Sequence, residues 1–145
     1  MKKIQKLTII LFMLLNLESY SAAENNFFEE GKEKYNKKEY DESKFLFQRS
    51  IVFDPKDINS YLYLAKIYNI EKNKSEEEKN INTVLLLNPI NEDAIYMLIK
   101  IKLKKSNYTE VKDLTDNFLK VCSELCDKKK SILESLKNIE PRNES

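Results

Sequence analysis

Two short stretches fix the frame of this chain: Asp54-Pro55 returns as Asn88-Pro89, and Pro89 lies 34 residues after Pro55. That period is the length of a helix-turn-helix unit repeated in tandem. Two short helices cannot bury an apolar face alone, so such a repeat dictates a stack with one continuous core. Used as a ruler, the period divides the chain into blocks 24–57, 58–91 and 92–125, and the columns of the blocks agree. Leu64 falls with Leu98, and Gly31 with Ala65, small residues where two helices must come close. Tyr40 falls with Tyr108, Phe47 with Ile81, Ile51 with Leu85 and Leu119, and Phe53 with Leu87 and Val121. Spacings of three and four give each helix one apolar stripe. Pro55 and Pro89 should each end a helix, because the residue before proline is pushed out of helical angles. Ser75, with Glu78 three residues on, reads as a capping box opening the second helix of the middle block. Asp127 reads as the cap of a last helix reaching about Leu136, with Ile132, Leu133 and Leu136 on one face. An unrelated helical bundle with a chance echo is the alternative.

These columns resemble the tetratricopeptide repeat (TPR) family, whose pattern runs aromatic, Leu and Gly, Tyr, then Ala, Phe and a closing Pro. Phe27, Gly31, Tyr40, Asp41, Glu42, Phe47, Asp54 and Pro55 carry it in the first block, with Ser43 and Ser50 replacing the usual alanines. Tyr61, Leu64, Ala65, Tyr68, Val84, Leu87 and Pro89 carry it in the second, where Glu77 occupies a column the family keeps small and apolar. The third supplies Ala94, Leu98, Tyr108, Glu110 and Val111, but Ile99 and Phe118 crowd small columns and Ser123 stands for the closing Pro. The resemblance implies an all-α, right-handed helical-hairpin solenoid of about three repeats. Residues 126–139 would form a capping helix over the end of the stack, and residues 140–145 a disordered tail.

Composition narrows the chemistry. The chain has no His, which removes imidazole relays, Ser/His/Asp and Cys/His nucleophile pairs, and the commonest zinc ligand. One Gly in 145 residues leaves no phosphate-cradling loop. Lys and Arg, 25 in all, nearly cancel 24 Asp and Glu, and only Arg49 and Arg142 are arginines, so no nucleic-acid partner is expected. The carboxylate runs, Glu29/Glu30 and Glu76 to Glu78, read as solvated helix faces. Neither an enzyme nor a cofactor or metal site is expected.

The amino terminus has the layout of a secretory signal peptide. Lys2, Lys3 and Lys6 precede an eleven-residue apolar stretch, Leu7 to Leu17, broken by Thr8 and Asn16, and Ser21, Ala22 and Ala23 follow. Cleavage is expected after residue 23, leaving no membrane span; an uncleaved anchor is the other reading. The expected location is outside the cytoplasm, in a bacterial periplasm or beyond. Export bears on Cys122 and Cys126, the only cysteines. Both a disulfide and two free thiols are open, and a bond requires the chain to turn within residues 123–125. The sequons at Asn73, Asn107 and Asn143 are expected to be chance in so Asn-rich a chain.

The resemblance also implies a function, since first helices of successive repeats in this family line a groove for partner segments. Phe28, Leu62 and Tyr96 occupy one column there, Lys32, Lys66 and Lys100 the next, and Tyr35, Asn69 and Leu103 the one beyond. An apolar strip beside a row of ammonium groups suits a protein or peptide segment with acidic side chains or a free carboxylate. Lysines merely facing solvent are the bland reading. The family's clamp for chaperone C-terminal carboxylates is absent, because its columns hold Phe28, Lys32, Tyr63, Asp93 and Met97. A protein-binding scaffold or adaptor is the first reading. An envelope accessory subunit or carboxylate-based hydrolase is the second, and it would need acids facing one another across the groove.

Overall fold

The computed structural model describes residues 26–141. The expected signal segment, its cleavage point and the last four residues lie outside them. Among the described residues are seven α-helices and no strand. They are α1 (Asn26–Asn36), α2 (Tyr40–Phe53), α3 (Ile58–Ile70), α4 (Lys74–Leu87), α5 (Glu92–Lys104), α6 (Tyr108–Val121) and, after a 3-10 turn at Cys126–Lys128, α7 (Lys129–Asn138).

The period seen in the sequence recurs in the backbone. The second helices α2, α4 and α6 start at Tyr40, Lys74 and Tyr108 and end at Phe53, Leu87 and Val121, each a repeat of 34 residues. The turn before each is made the same way, by one residue in the left-handed region: Lys38 (φ 64°), Lys72 (φ 61°) and Ser106 (φ 53°). Asp54 and Asn88, before the two prolines, are extended, so α2 and α4 stop where expected. The starts of α4 and α7 differ from the expectation. Asn73, rather than Ser75, caps α4 by accepting the Glu76 N–H at 3.3 Å, and Asn107 caps α6 by accepting that of Glu110 at 3.3 Å. Two of the three sequons therefore sit at helix starts, where an Asn cap followed by Ser or Thr inside the first turn is ordinary chemistry. Asp127 caps nothing and pairs with Lys128 at 2.5 Å, while α7 has no side-chain cap.

The described chain divides between Ser60 and Tyr61 into two compact units. In the first, α1 lies against α2 with Gly31 at the crossing. A Cβ there would stand 2.8 Å from the ring of Phe47, which is wholly buried. The serines in alanine columns carry hydrogen bonds: Ser43 Oγ donates to the Gly31 carbonyl at 2.8 Å and Ser50 Oγ to the Asp57 carboxylate at 2.7 Å. Asp57 also accepts the Ser60 N–H at 3.1 Å, capping α3.

In the second unit, α3 is apolar almost all round, and Leu62, Leu64, Ala65 and Ile67 are all buried. Farther on, Ile95, Ile99, Val111, Phe118 and Ile132 form one core, flanked by Tyr96, Leu103, Leu136 and Ile139. The bulky Ile99 and Phe118 are accommodated because they fill this core. On α7 only Ile132 is buried, and Leu133, expected beside it, is 46% exposed. Glu140, expected in the tail, accepts the Tyr108 hydroxyl at 3.1 Å.

Candidate functional site

The columns expected to meet a ligand fall differently in each unit. In the first, the Phe28 ring lies tilted against Phe47 at 5.8 Å, the Tyr35 ring meets Tyr40 edge-on at 5.7 Å, and the Lys32 ammonium lies 3.8 Å from Glu29. The two aromatic side chains are half-buried packing groups.

In the second unit, α3 and α5 are tied by the Lys66–Asp93 ion pair at 3.4 Å. Lys66 also lies 5.4 Å from the centre of the Tyr63 ring, and Lys100 lies 5.5 Å from that of Tyr96. These ammonium–aromatic contacts, each worth about 0.5–1 kcal/mol at exposed sites, set the two lysines beside tyrosine faces. Lys100 is exposed and makes no ion pair among the described residues, so its charge is available.

Three other residues expected on this face have packing or hydrogen-bond partners inside the unit. Leu62 is 7% exposed and belongs to the core of an almost wholly apolar helix. Asn69 turns its amide to the Glu77 carboxylate at 2.6 Å. Leu103, half-buried, packs against the Ile95–Phe118 core. Tyr96 is divided, its ring tilted against Phe118 at 6.2 Å while one side meets Lys100. Of the expected set in this unit, Lys100 is exposed, and Lys66, Asn69, Tyr96 and Leu103 are half-buried; Tyr63, also half-buried, stands beside Lys66.

The reading of Glu76 to Glu78 as a solvated run also fails. Glu77 is 3% exposed, and beside it Lys74, Ile101, Lys104 and Lys105 line a cavity of about 50 Å³. Glu78 accepts from Lys102 and from Lys105, both at 2.7 Å, and Lys102 reaches Glu110 at 2.8 Å, tying α4, α5 and α6 together. Lys102 and Lys105 hold the Glu78 carboxyl below its usual range, and Glu110 and Glu78 push Lys102 up.

A second constellation was invisible in the sequence. The Glu92 carboxylate, in the first turn of α5, accepts the backbone N–H groups of Ser123 (2.8 Å), Glu124 (3.0 Å) and Leu125 (3.2 Å), and the Ser123 hydroxyl at 3.3 Å. Those donors, with the Ser123 N–H foremost, lower its pKa. The loop so gripped runs between Cys122 and Cys126, which are disulfide-bonded with Cα atoms 5.3 Å apart. Cys122 is extended (ψ 138°) and ends α6, so the chain does turn within residues 123–125. An acid in the first turn of a helix reads locally as dipole compensation; only the fold brings the loop 31 to 33 residues later onto it.

No group of three or more His, Cys, Asp or Glu among the described residues is placed to hold a metal ion. No described helix is long and apolar enough to cross a membrane.

The paired helices, their common register and the repeated left-handed turn define a helical-hairpin array of the tetratricopeptide type. Among solved structures, the chain is similar to the first TPR domain of the human RPAP3 protein, determined by NMR. The match has 18% identity and a TM-score of 0.64, and covers 78% of this chain and 91% of that one. At that identity the likeness speaks for the fold alone. No protein-family model and no curated protein sequence gives a match.

Proposed function

We propose that this chain is an exported, non-catalytic scaffold or adaptor that holds a peptide segment of a partner protein, in a bacterial envelope or outside the cell. The fold supports a protein-interaction scaffold, and the layout of residues 1–23 supports export. The observation that carries the ligand class is the face of α3 and α5 where Lys66 and Lys100 stand beside Tyr63 and Tyr96. Aromatic surface next to ammonium groups suits an extended segment with acidic side chains or a terminal carboxylate. Asp93, the acid on this face, is already matched by Lys66, which favours a binding role over carboxylate catalysis.

Fluorescence anisotropy with labelled acidic peptides, and with their charge-reversed counterparts, tests the reading. Acidic peptides should bind more tightly, with an affinity that weakens as salt rises. Exposed ion pairs contribute about 0.2–1 kcal/mol each, so Lys66→Gln with Lys100→Gln should weaken binding by roughly 2- to 30-fold. Equal affinity for both peptide sets, or for the double variant with its circular dichroism intact, would reduce the lysines to a solvated face.

A further inference from the structure

The disulfide lies at the junction between α6 and α7. α7 has ten residues and no side-chain cap. It is shorter than the roughly 12–15 residues an isolated helix needs in water, so its helicity depends on docking. The docking surface is small: Ile132 is buried against the Ile95, Ile99, Val111 and Phe118 core, and Leu136 and Ile139 pack only in part. No linker separates the bridge from this helix, because Cys126 opens the 3-10 turn that runs directly into Lys129.

Two restraints hold that entry in place. The bridge closes the five-residue loop at its ends, and the Glu92 carboxylate holds three N–H groups in its middle. They act together, since a carboxylate can collect three successive backbone donors only while the loop keeps them turned to one point. In the two preceding repeats the same position is fixed by proline, which needs no partner. Here a reversible covalent bond has taken its place. Both cysteines are half-buried rather than enclosed.

We propose that the Cys122–Cys126 bridge is a redox-sensitive latch for the terminal helix: closed, it keeps α7 on the α5–α6 core, and opened, it lets α7 leave. Opening is thiol–disulfide exchange with a dithiol reductant. One thiolate attacks a bridge sulfur, the S–S bond breaks and a mixed disulfide forms; the second thiolate then displaces the remaining protein thiolate. The chain gains two electrons and two protons as two thiols, and the reductant leaves as its disulfide. Release frees the Ser123–Leu125 N–H groups from Glu92 and exposes the core side of Ile95, Ile99 and Phe118. This inference is independent of the peptide-binding reading, since it uses none of the residues of that face except Tyr96 as a neighbour of the core.

Backbone hydrogen exchange followed by mass spectrometry on the whole chain tests it, oxidised and after reduction with dithiothreitol, with thiols counted by alkylation. Amides of Leu125 and of residues 133–138 should exchange at least tenfold faster after reduction, while those of α3, α4 and the α1–α2 hairpin keep their rates. Cys122→Ser with Cys126→Ser should match the reduced chain in either buffer. Ile132→Ala, which weakens docking directly, should raise α7 exchange even when oxidised and so report the released state. Unchanged α7 exchange in a chain shown to carry two free thiols would overturn the latch. So would equal loosening of every helix on reduction, or two free thiols persisting after equilibration with oxidised glutathione.

Discussion

The family's small-residue column is used here with no slack. At Gly31, alanine would gain roughly 1 kcal/mol of helix propensity over glycine. Its Cβ would also stand 2.8 and 2.9 Å from two ring atoms of Phe47, a side chain with no exposed surface into which to swing. Overpacking of this kind costs about 1–3 kcal/mol and should win, so Gly31→Ala is expected to lower the urea midpoint. Phe47→Leu in the Gly31→Ala background should cost less than Phe47→Leu alone, because the smaller side chain relieves the clash it helps to create. Additive effects in that double-mutant cycle would place the strain elsewhere. Gly31 and Phe47 were both legible in the sequence as column residues. The hydroxyl roles of Ser43 and Ser50 were not, because a one-letter departure from a pattern does not say which carbonyl or carboxylate is waiting for it.

Among the helices, the half-buried chain Glu78–Lys102–Glu110 ties three elements with geometry good enough to count, the Lys102 side chain being only 14% exposed. Its pH dependence follows from the directions of the shifts. Because Lys102 and Lys105 depress the folded-state pKa of Glu78, its contribution is fully present above the ordinary carboxylate range and is lost as pH falls through the folded value. Lys102, pushed up by Glu110 and Glu78, contributes below the ordinary lysine range and loses that contribution only as pH rises through its raised value. Stability should therefore be level around neutrality and fall in acid. Glu78→Gln should cost about 1–2 kcal/mol at pH 7 and flatten the acid limb, read from urea midpoints at pH 7 and pH 3. An acid limb as steep as in the parent would show that other carboxylates carry it. The stops of α2 and α4 could be read from the 34-residue ruler because the period and the two prolines point the same way. Helix caps and the Glu92 grip could not, since Asn, Ser and Asp near a helix start are near-equivalent locally and the choice among them is made by tertiary contacts.

At the scale of the whole chain, each of the three helical hairpins forces a residue into left-handed backbone, yet the chain owns a single glycine and spends it at a helix crossing. Lys38, Lys72 and Ser106 therefore hold a conformation that costs an ordinary side chain roughly 1–2 kcal/mol. Part of this would be recovered by glycine, whose greater freedom in the unfolded chain offsets the rest. Lys38→Gly, Lys72→Gly and Ser106→Gly should each raise stability by roughly 0.5–1 kcal/mol, seen as a higher urea midpoint at unchanged slope. A drop at any of the three would mean that its side chain makes a contact worth more than the strain. All three side chains are exposed, and none belongs to the face of Lys66 and Lys100. The hairpin tips thus act as tuning screws: the melting point of this protein can be moved from three solvent-facing positions while the face of Lys66 and Lys100 stays as it is.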